Sequence, residues 1–363
     1  MGSIPTVCKG GWDARMKYVS LGASGLGTSL YALGTATFGG STSEAEAIKV
    51  LNTFVEAGGL LIDTADAYTD GAAEVIIGRW MRTQKAHVRE QMVLSTKGGG
   101  YTTTAPLNRW GNTRHNLTRA LETSLRRLGV DCVTLYQAHT WDPLTPLEET
   151  MRFLDDAVRA GKVRYAGLSN YTGWQLQKSV DLADAKTLAR PITYQAQYSL
   201  LCREIEWEIV EAGRANGLGL LAWSPLSGGL LSGKYAPHAT PAGPARFAGR
   251  AGRGKMHDAY VNALYRGHAT QDATWQLLEI LKEIAAENNT TTAAVALAWV
   301  AARPGVSGVV LGVRNSRQLT DNLQAASITL SDDEMERLTK ASEPKPAGYP
   351  YGGFGIMQRS RNI

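Results

Sequence analysis

The feature that most constrains this chain is an alternation. Eight short apolar runs lie near Thr35, Ile62, Leu94, Leu135, Ala166, Tyr194, Leu221 and Leu311, and between them apolar residues recur at helical spacing. Ala47, Ile48, Leu51, Phe54, Val55 and Gly58 set the first helical pattern, behind a Ser43/Glu46 capping box and ahead of a Gly58-Gly59 stop. Leu117, Leu121, Leu125 and Leu128 line one face of another helix, which Asn112 can cap and Gly129 ends. Further helices are predicted over 72–82, 147–160, 174–183, 205–216, 275–287, 292–302 and 317–325, and after Asp332. With no break in composition, this pattern predicts an α/β fold, a (β/α)8 TIM barrel behind an N-terminal β-hairpin over residues 17–38. A doubly wound sheet fits less well. No GxGxxG follows the first strand, and polar residues sit at many strand ends instead of one switch point.

Met16 is a natural start for the fold. Residues 1–15 are then a loose extension, 16–345 a single barrel domain and 346–363 a C-terminal tail. A long loop follows the seventh strand, from Ser227 to Gln271, rich in Gly, Ala and Arg. Loops of that length in compact domains are often lids, so part of it is expected to cover a ligand and part to be mobile. The 363 residues are 44% hydrophobic, enough for a sizeable core. The formal charge of +5 is scattered, with only a loose cluster at Arg246, Arg250, Arg253 and Lys255. That argues against a nucleic-acid partner, whereas a phosphate-bearing cofactor accounts for a mild basic bias. Cys8, Cys132 and Cys202 form neither a disulfide framework nor a metal-ligand pattern, so a reducing cytoplasm is the default expectation and no metal is expected. There is no run of 18 apolar residues and no signal-peptide pattern, so no membrane association is expected. MGSIPT matches the formal myristoylation pattern at Gly2 and Thr6 and is read as an ordinary start.

The chemistry gathers at strand ends. LLIDTADAYTDG carries Asp63 and Tyr68 just after an apolar run, VLSTKGG carries Lys97, and LYQAHTWD carries His139. A carboxylate there is costly to desolvate unless a cation meets it, and Lys97 is the candidate. In a barrel the C-terminal ends of all strands converge on one mouth, which makes these four residues neighbours. Tyrosine is a poor acid at neutral pH, but a nearby ammonium stabilises its phenolate. Lys97 is placed by order to do this for Tyr68, Asp63 to hold Lys97 charged, and His139 to offer a hydrogen bond beside them. A structural ion pair, a core tyrosine and a core histidine would account for the same residues taken singly.

In this order, DTADAYTDG, STKGG, AHTWD, GLSNYTG, YQAQYSLL, WSPLSGGLLSGKY and LGVRNSRQLTDNL resemble the aldo-keto reductases. The resemblance spans about residues 17–345 and looks nearest to the bacterial and fungal branches that also include the voltage-gated potassium channel beta subunits. It implies the same catalytic roles, with Tyr68 as acid and Asp63, Lys97 and His139 in support. It implies that Ser169, Asn170 and Gln195 hold the nicotinamide amide and that the nicotinamide ring stacks on Trp223. The loop over the pyrophosphate would use Ser224, Pro225, Leu226, Gly229, Leu231, Gly233 and Lys234. Gly34, Thr35, Asp63 and Gly312 also fall among the implied cofactor contacts, and Gln318, Asp321 and Asn322 meet the adenosine end. Arg314 beside a helix N-terminus suits a 2′-phosphate, which favours NADPH and leaves NADH as the second choice.

The implied substrate is a small-molecule carbonyl, an aldehyde or ketone. Tyr101, Trp110 and Trp141, in loops after the catalytic strands, would wall the mouth beside Tyr68 and His139. Two alternatives stay open: a keto-reductase for a sugar nucleotide or other secondary-metabolite intermediate, and a redox-sensing subunit like the channel beta subunits. A homo-oligomer is compatible with the pattern.

Overall fold

The hairpin that opens the fold becomes a plug. In the computed structural model, which describes residues 16–100, 106–237, 267–346 and 348–355, β1 (Tyr18–Ser20) pairs antiparallel with β2 (Gly27–Ser29). Leu21, in the turn between them, is fully buried in one cluster with Ala32, Leu61, Val93, Leu135, Leu221 and Val310. A Cβ at Gly22, whose φ is +61°, would stand 2.4 Å from the Ile192 carbonyl oxygen. Only glycine lets the turn press this closely against the strand starts. The floor of the barrel is thereby closed, and the opposite end is left for chemistry.

Eight parallel strands close the barrel: β3 (Tyr31–Gly34), β4 (Leu61–Asp63), β5 (Val93–Gly98), β6 (Val133–Ala138), β7 (Val163–Ser169), β8 (Pro191–Gln197), β9 (Gly219–Trp223) and β10 (Val306–Gly312). β10 pairs with β3 to complete the ring, with Val309 opposite Tyr31 and Gly312 opposite Gly34. The expected (β/α)8 barrel and N-terminal hairpin are both present. Helices cover the outside with the apolar stripes read from the sequence. Leu117, Leu121, Leu125 and Leu128 on the helix Arg114–Leu128 all enter the main core, each such burial worth about 1.5–3 kcal/mol.

Several local expectations are corrected. The first barrel strand is Tyr31–Gly34, and Thr35, near which the sequence pattern places it, lies just beyond its end. YALG therefore belongs to the barrel and not to the hairpin, because its backbone pairs with β4 and β10. Thr113 caps the helix Arg114–Leu128, its hydroxyl accepting from the Asn116 N–H at 3.2 Å. Asn112 is buried instead and donates its amide to the Thr140 carbonyl at 2.7 Å. Of the Ser43/Glu46 box only half forms. The Glu46 carboxylate turns to the helix Ser316–Leu323, accepting from the Ser316 N–H at 2.8 Å and its hydroxyl at 3.1 Å. Unsatisfied N–H groups at that helix start out-compete the N–H of Ser43. A short helix over Ala86–Gln91, which the sequence pattern did not signal, precedes β5. Most of the long loop after β9, residues 238–266, lies outside the described residues, as do residues 1–15 and 356–363. No helix among the described residues is long and apolar enough to cross a membrane.

Candidate active site

Asp63 ends β4, and parallel pairing sets it opposite Ser95 on β5, two residues before Lys97. The Lys97 and Asp63 side chains are both buried, with Nζ 2.6 Å from Asp63 Oδ2. Nζ also donates to the Thr64 carbonyl at 2.8 Å and to the Tyr68 hydroxyl at 3.3 Å, and lies 5.0 Å from the centre of the Tyr68 ring. Burial pulls the Lys97 pKa down, but the Asp63 carboxylate and Tyr68 pull it up by more, so its net shift is upward. Asp63 is itself saturated, accepting from Ser95 Oγ and from Gln195 Nε2 at 3.0 Å each, and Gln137 Nε2 backs Ser95 at 3.1 Å.

Tyr68 reaches the pair because the chain doubles back after β4. Tyr68–Gly71 is a tight turn in which Thr69, Asp70 and Gly71 all have positive φ. The Arg127 guanidinium clamps it, donating to the Asp66 carbonyl at 3.1 Å and the Asp70 carbonyl at 3.3 Å while paired with buried Glu74 at 3.1 Å. A Cβ at Gly71 would stand 2.0 Å from Arg127 Cζ, so turn and clamp require each other.

His139, just past β6, presents its ring edge to Tyr68 at 5.9 Å between centroids. Burial and the Lys97 charge push its pKa down to about 3, so the imidazole is neutral at physiological pH and has one N–H to donate. Its Nδ1 has no partner among the described residues. Asn170 follows β7 in a left-handed conformation, φ +57°. Its amide donates to the His139 carbonyl at 2.9 Å and to Ser169 Oγ at 3.1 Å, and it accepts from Trp223 Nε1 at 3.1 Å. The ends of β6, β7 and β9 are thus tied together across the mouth.

The remaining sequence-predicted residues divide by position. Pro225 and Leu231 are buried, Leu231 fully, which leaves only their backbones for a ligand. Ser224, Ser227, Gly228, Gly229 and Gly233 have positive φ, and a Cβ at Gly229 would stand 2.9 Å from Lys234 Nζ. Thr35 spends its hydroxyl on the Asp63 carbonyl at 3.0 Å. A Cβ at Gly34 would stand 2.8 Å from Val310 Cγ1, whereas Gly312 is exposed at the end of the same seam. Gln318 accepts from the Arg314 N–H at 3.0 Å beside the start of the helix Ser316–Leu323, which also carries Asp321 and buried Asn322. Trp110 is half-buried in the loop after β5. Trp141 packs edge-on against Tyr171 at 5.3 Å and Trp174 at 5.4 Å. Tyr101 lies outside the described residues.

Sequence reasoning missed Ser95, Gln137 and Arg127. The first two left a signal, because a polar residue facing inward in an apolar strand marks an interior network. Arg127 left none, since it reads as an ordinary polar-face residue of an amphipathic helix.

A barrel that gathers a phenol, a buried ammonium and a neutral imidazole at one mouth can hold and move a proton there. The profile of the aldo/keto reductase family matches residues 31–343, and the chain belongs to that family. An uncharacterized oxidoreductase of Bacillus subtilis (strain 168), YrpG, is 37% identical over 340 residues, 92% of this chain and 98% of that protein. A probable voltage-gated potassium channel subunit beta of Oryza sativa subsp. japonica is 34% identical over 337 residues, 91% and 98%. Protein tas of Escherichia coli (strain K12) is 32% identical over 350 residues, 89% and 96%. The protein is an oxidoreductase of carbonyls that works with a nicotinamide cofactor.

Proposed function

We propose that the protein reduces an aldehyde or ketone to the alcohol with NADPH, and that Tyr68 is the proton donor. The observation that carries this reading is the buried Lys97 ammonium, held by Asp63 at 2.6 Å and within 3.3 Å of the Tyr68 hydroxyl. A nicotinamide held there would supply the hydride for the carbonyl carbon. Tyr68 O–H gives its proton to the carbonyl oxygen, and Lys97 stabilises the phenolate left behind. Neutral His139 donates a hydrogen bond that orients the same oxygen. Its low pKa keeps a second cation away from Lys97. Asp63 holds the ammonium in place, and Arg127 holds the turn that carries Tyr68.

Support for the cofactor comes from the chemistry of the residues proposed to hold it. Ser169, Asn170 and Gln195 offer amide and hydroxyl groups around one end. The turns between Ser224 and Gly233 use backbone conformations that leave little room for side chains, and Lys234 lies against them, which suits a pyrophosphate. Arg314 at the edge of a helix N-terminus suits a 2′-phosphate and so favours NADPH over NADH.

Tyr68→Phe tests the assignment. Turnover is expected to fall by at least about a thousandfold, with NADPH affinity, read by tryptophan fluorescence, changed less than about threefold. Near-full activity in this variant would remove Tyr68 as the donor. The rice relative motivates a second reading, a redox-sensing subunit. It predicts tight NADPH binding with very slow reduction of every aldehyde offered.

A further inference from the structure

Among the described residues only Leu144, Trp174, Tyr349 and Phe354 are large apolar side chains left exposed, at 79%, 54%, 78% and 66%. Scattered exposed apolar residues need no explanation, but a contiguous set beside a reaction site does. Trp174 belongs to such a set, and Leu144 stands exposed in the neighbouring loop. Leu144 lies in the loop after β6, five residues past His139, and Trp174 lies in the first turn of the helix Gly173–Lys186, just past Ser169 and Asn170. Trp141 joins them, its ring 5.4 Å from Trp174 at 67° and 5.3 Å from buried Tyr171 at 88°. The result is a ridge of three rings, anchored at Tyr171 and open to solvent at Trp174.

The ridge is braced. Asp142 accepts from the Asn112 N–H at 2.8 Å, the Leu144 N–H at 3.0 Å and the Thr145 hydroxyl at 2.6 Å, which fixes the loop carrying Trp141 and Leu144. A reciprocal capping box between Thr172 and Gln175 fixes the turn carrying Trp174. Asn170, donating to the His139 carbonyl, locks the two loops to each other. An indole held half-exposed in the first turn of a helix is unusual, because that turn favours polar or acidic side chains. A rigid aromatic surface continuous with a reaction centre binds flat apolar groups at low entropic cost.

We propose that Trp174, with Trp141 and Leu144, is the outer wall of the substrate site, and that this protein selects carbonyls carrying a flat aromatic system beyond the reacting group. This rests on the reductase reading above. It makes Trp174 and Leu144 specificity residues that act on binding and not on proton or hydride transfer.

The test compares wild type with Trp174→Ala, Trp174→Phe and Leu144→Ser on propanal, benzaldehyde, 2-naphthaldehyde and 4-biphenylcarboxaldehyde with NADPH. For wild type, kcat/KM should rise along that series. In Trp174→Ala the preference for 2-naphthaldehyde over propanal should drop about tenfold, carried by KM, and Trp174→Phe should restore most of it. Leu144→Ser, on an exposed loop where folding is not at stake, should lose about threefold. Binding is read separately, by equilibrium dialysis of 2-naphthalenemethanol against the NADP+-loaded protein. Wild type should bind it about tenfold more tightly than Trp174→Ala. Unchanged preference and unchanged dialysis in both Trp174→Ala and Leu144→Ser would overturn the proposal. If no aldehyde is turned over but the dialysis difference holds, the wall stands and the reductase reading falls.

Discussion

Asp63→Asn isolates the buried ion pair. The Lys97 ammonium has no solvent contact and three acceptors, Asp63 Oδ2 at 2.6 Å, the Thr64 carbonyl at 2.8 Å and the Tyr68 hydroxyl at 3.3 Å. The carboxamide keeps the shape but cannot satisfy its neighbours. If its oxygen faces Ser95 and Gln195, its NH2 faces the ammonium, and turning it over confronts those two donors instead. Removing one partner of a buried pair costs about 3–5 kcal/mol. The pH dependence carries the sharper test. In wild type the folded Lys97 pKa is raised, since Asp63 outweighs burial. Its contribution to stability is therefore complete below the unfolded value of about 10.4 and is lost as pH rises through the folded value. In Asp63→Asn burial is left without that carboxylate. The folded lysine then sheds its proton before the unfolded chain does, and stability climbs with pH towards about 10. Urea unfolding between pH 7 and 9.5 should therefore show the deficit of the variant shrinking as pH rises, with turnover reduced throughout. A variant within about 1 kcal/mol of wild type, with a constant difference across that range, would refute this account of how Lys97 stays charged.

His139 should show no ionisation in the pH–kcat/KM profile between pH 5 and 8, because its pKa is pushed down to about 3. The unfolded chain takes up that proton near pH 6.5, so stability should fall from there downwards, and His139→Gln should flatten the slope by up to one proton in acid-unfolding titrations. Gln137→Leu removes the donor behind Ser95 and should lower kcat/KM about three- to tenfold while stability shifts by less than about 1 kcal/mol; an unaltered rate would make the Ser95 support irrelevant to Asp63. Arg127→Met should lower kcat more than it raises the Kd for NADPH, since it frees the Tyr68 turn and leaves Glu74 buried without its cation. Arg314→Ala should weaken NADPH about tenfold and NADH hardly at all by fluorescence titration, and equal losses for both would mean that Arg314 meets no 2′-phosphate.

Asp63, Lys97 and His139 are legible because each stands at the end of an apolar strand or just past it, where a barrel collects its chemistry, and Tyr68 because it follows Asp63 within one short segment. What converts that list into a site is set by packing, which local patterns do not carry. Asn112 and Thr113 are both good helix caps in isolation. Asn112 is drawn off to the loop around Thr140 and Asp142 by the way β6 delivers that loop. Glu46 leaves Ser43 for a helix start roughly 270 residues along the chain, an event invisible in a four-residue motif. Trp174 was read as the first residue of an amphipathic helix, with no sign that its ring stands at the mouth, because periodicity says which face is apolar but not which aromatic reaches past the end of the sheet.

The closed strand order has a consequence for how the protein is made. Asp63, Tyr68, Lys97 and His139 all precede β7, whereas every polar residue from Ser169 to Asn322 follows them in the chain, and the ring closes only when Val309 meets Tyr31. During translation the reactive quartet emerges first, on a sheet open at both edges, with the Asp63 carboxylate still lacking the Gln195 amide. It cannot become a dry, braced centre until the last strand has left the ribosome. A nascent chain of this protein is therefore expected to need shelter longest at the edge of β3, whose partner β10 emerges last, and ribosome-stalled chains ending before residue 306 should be protease-sensitive in the segment carrying Tyr68.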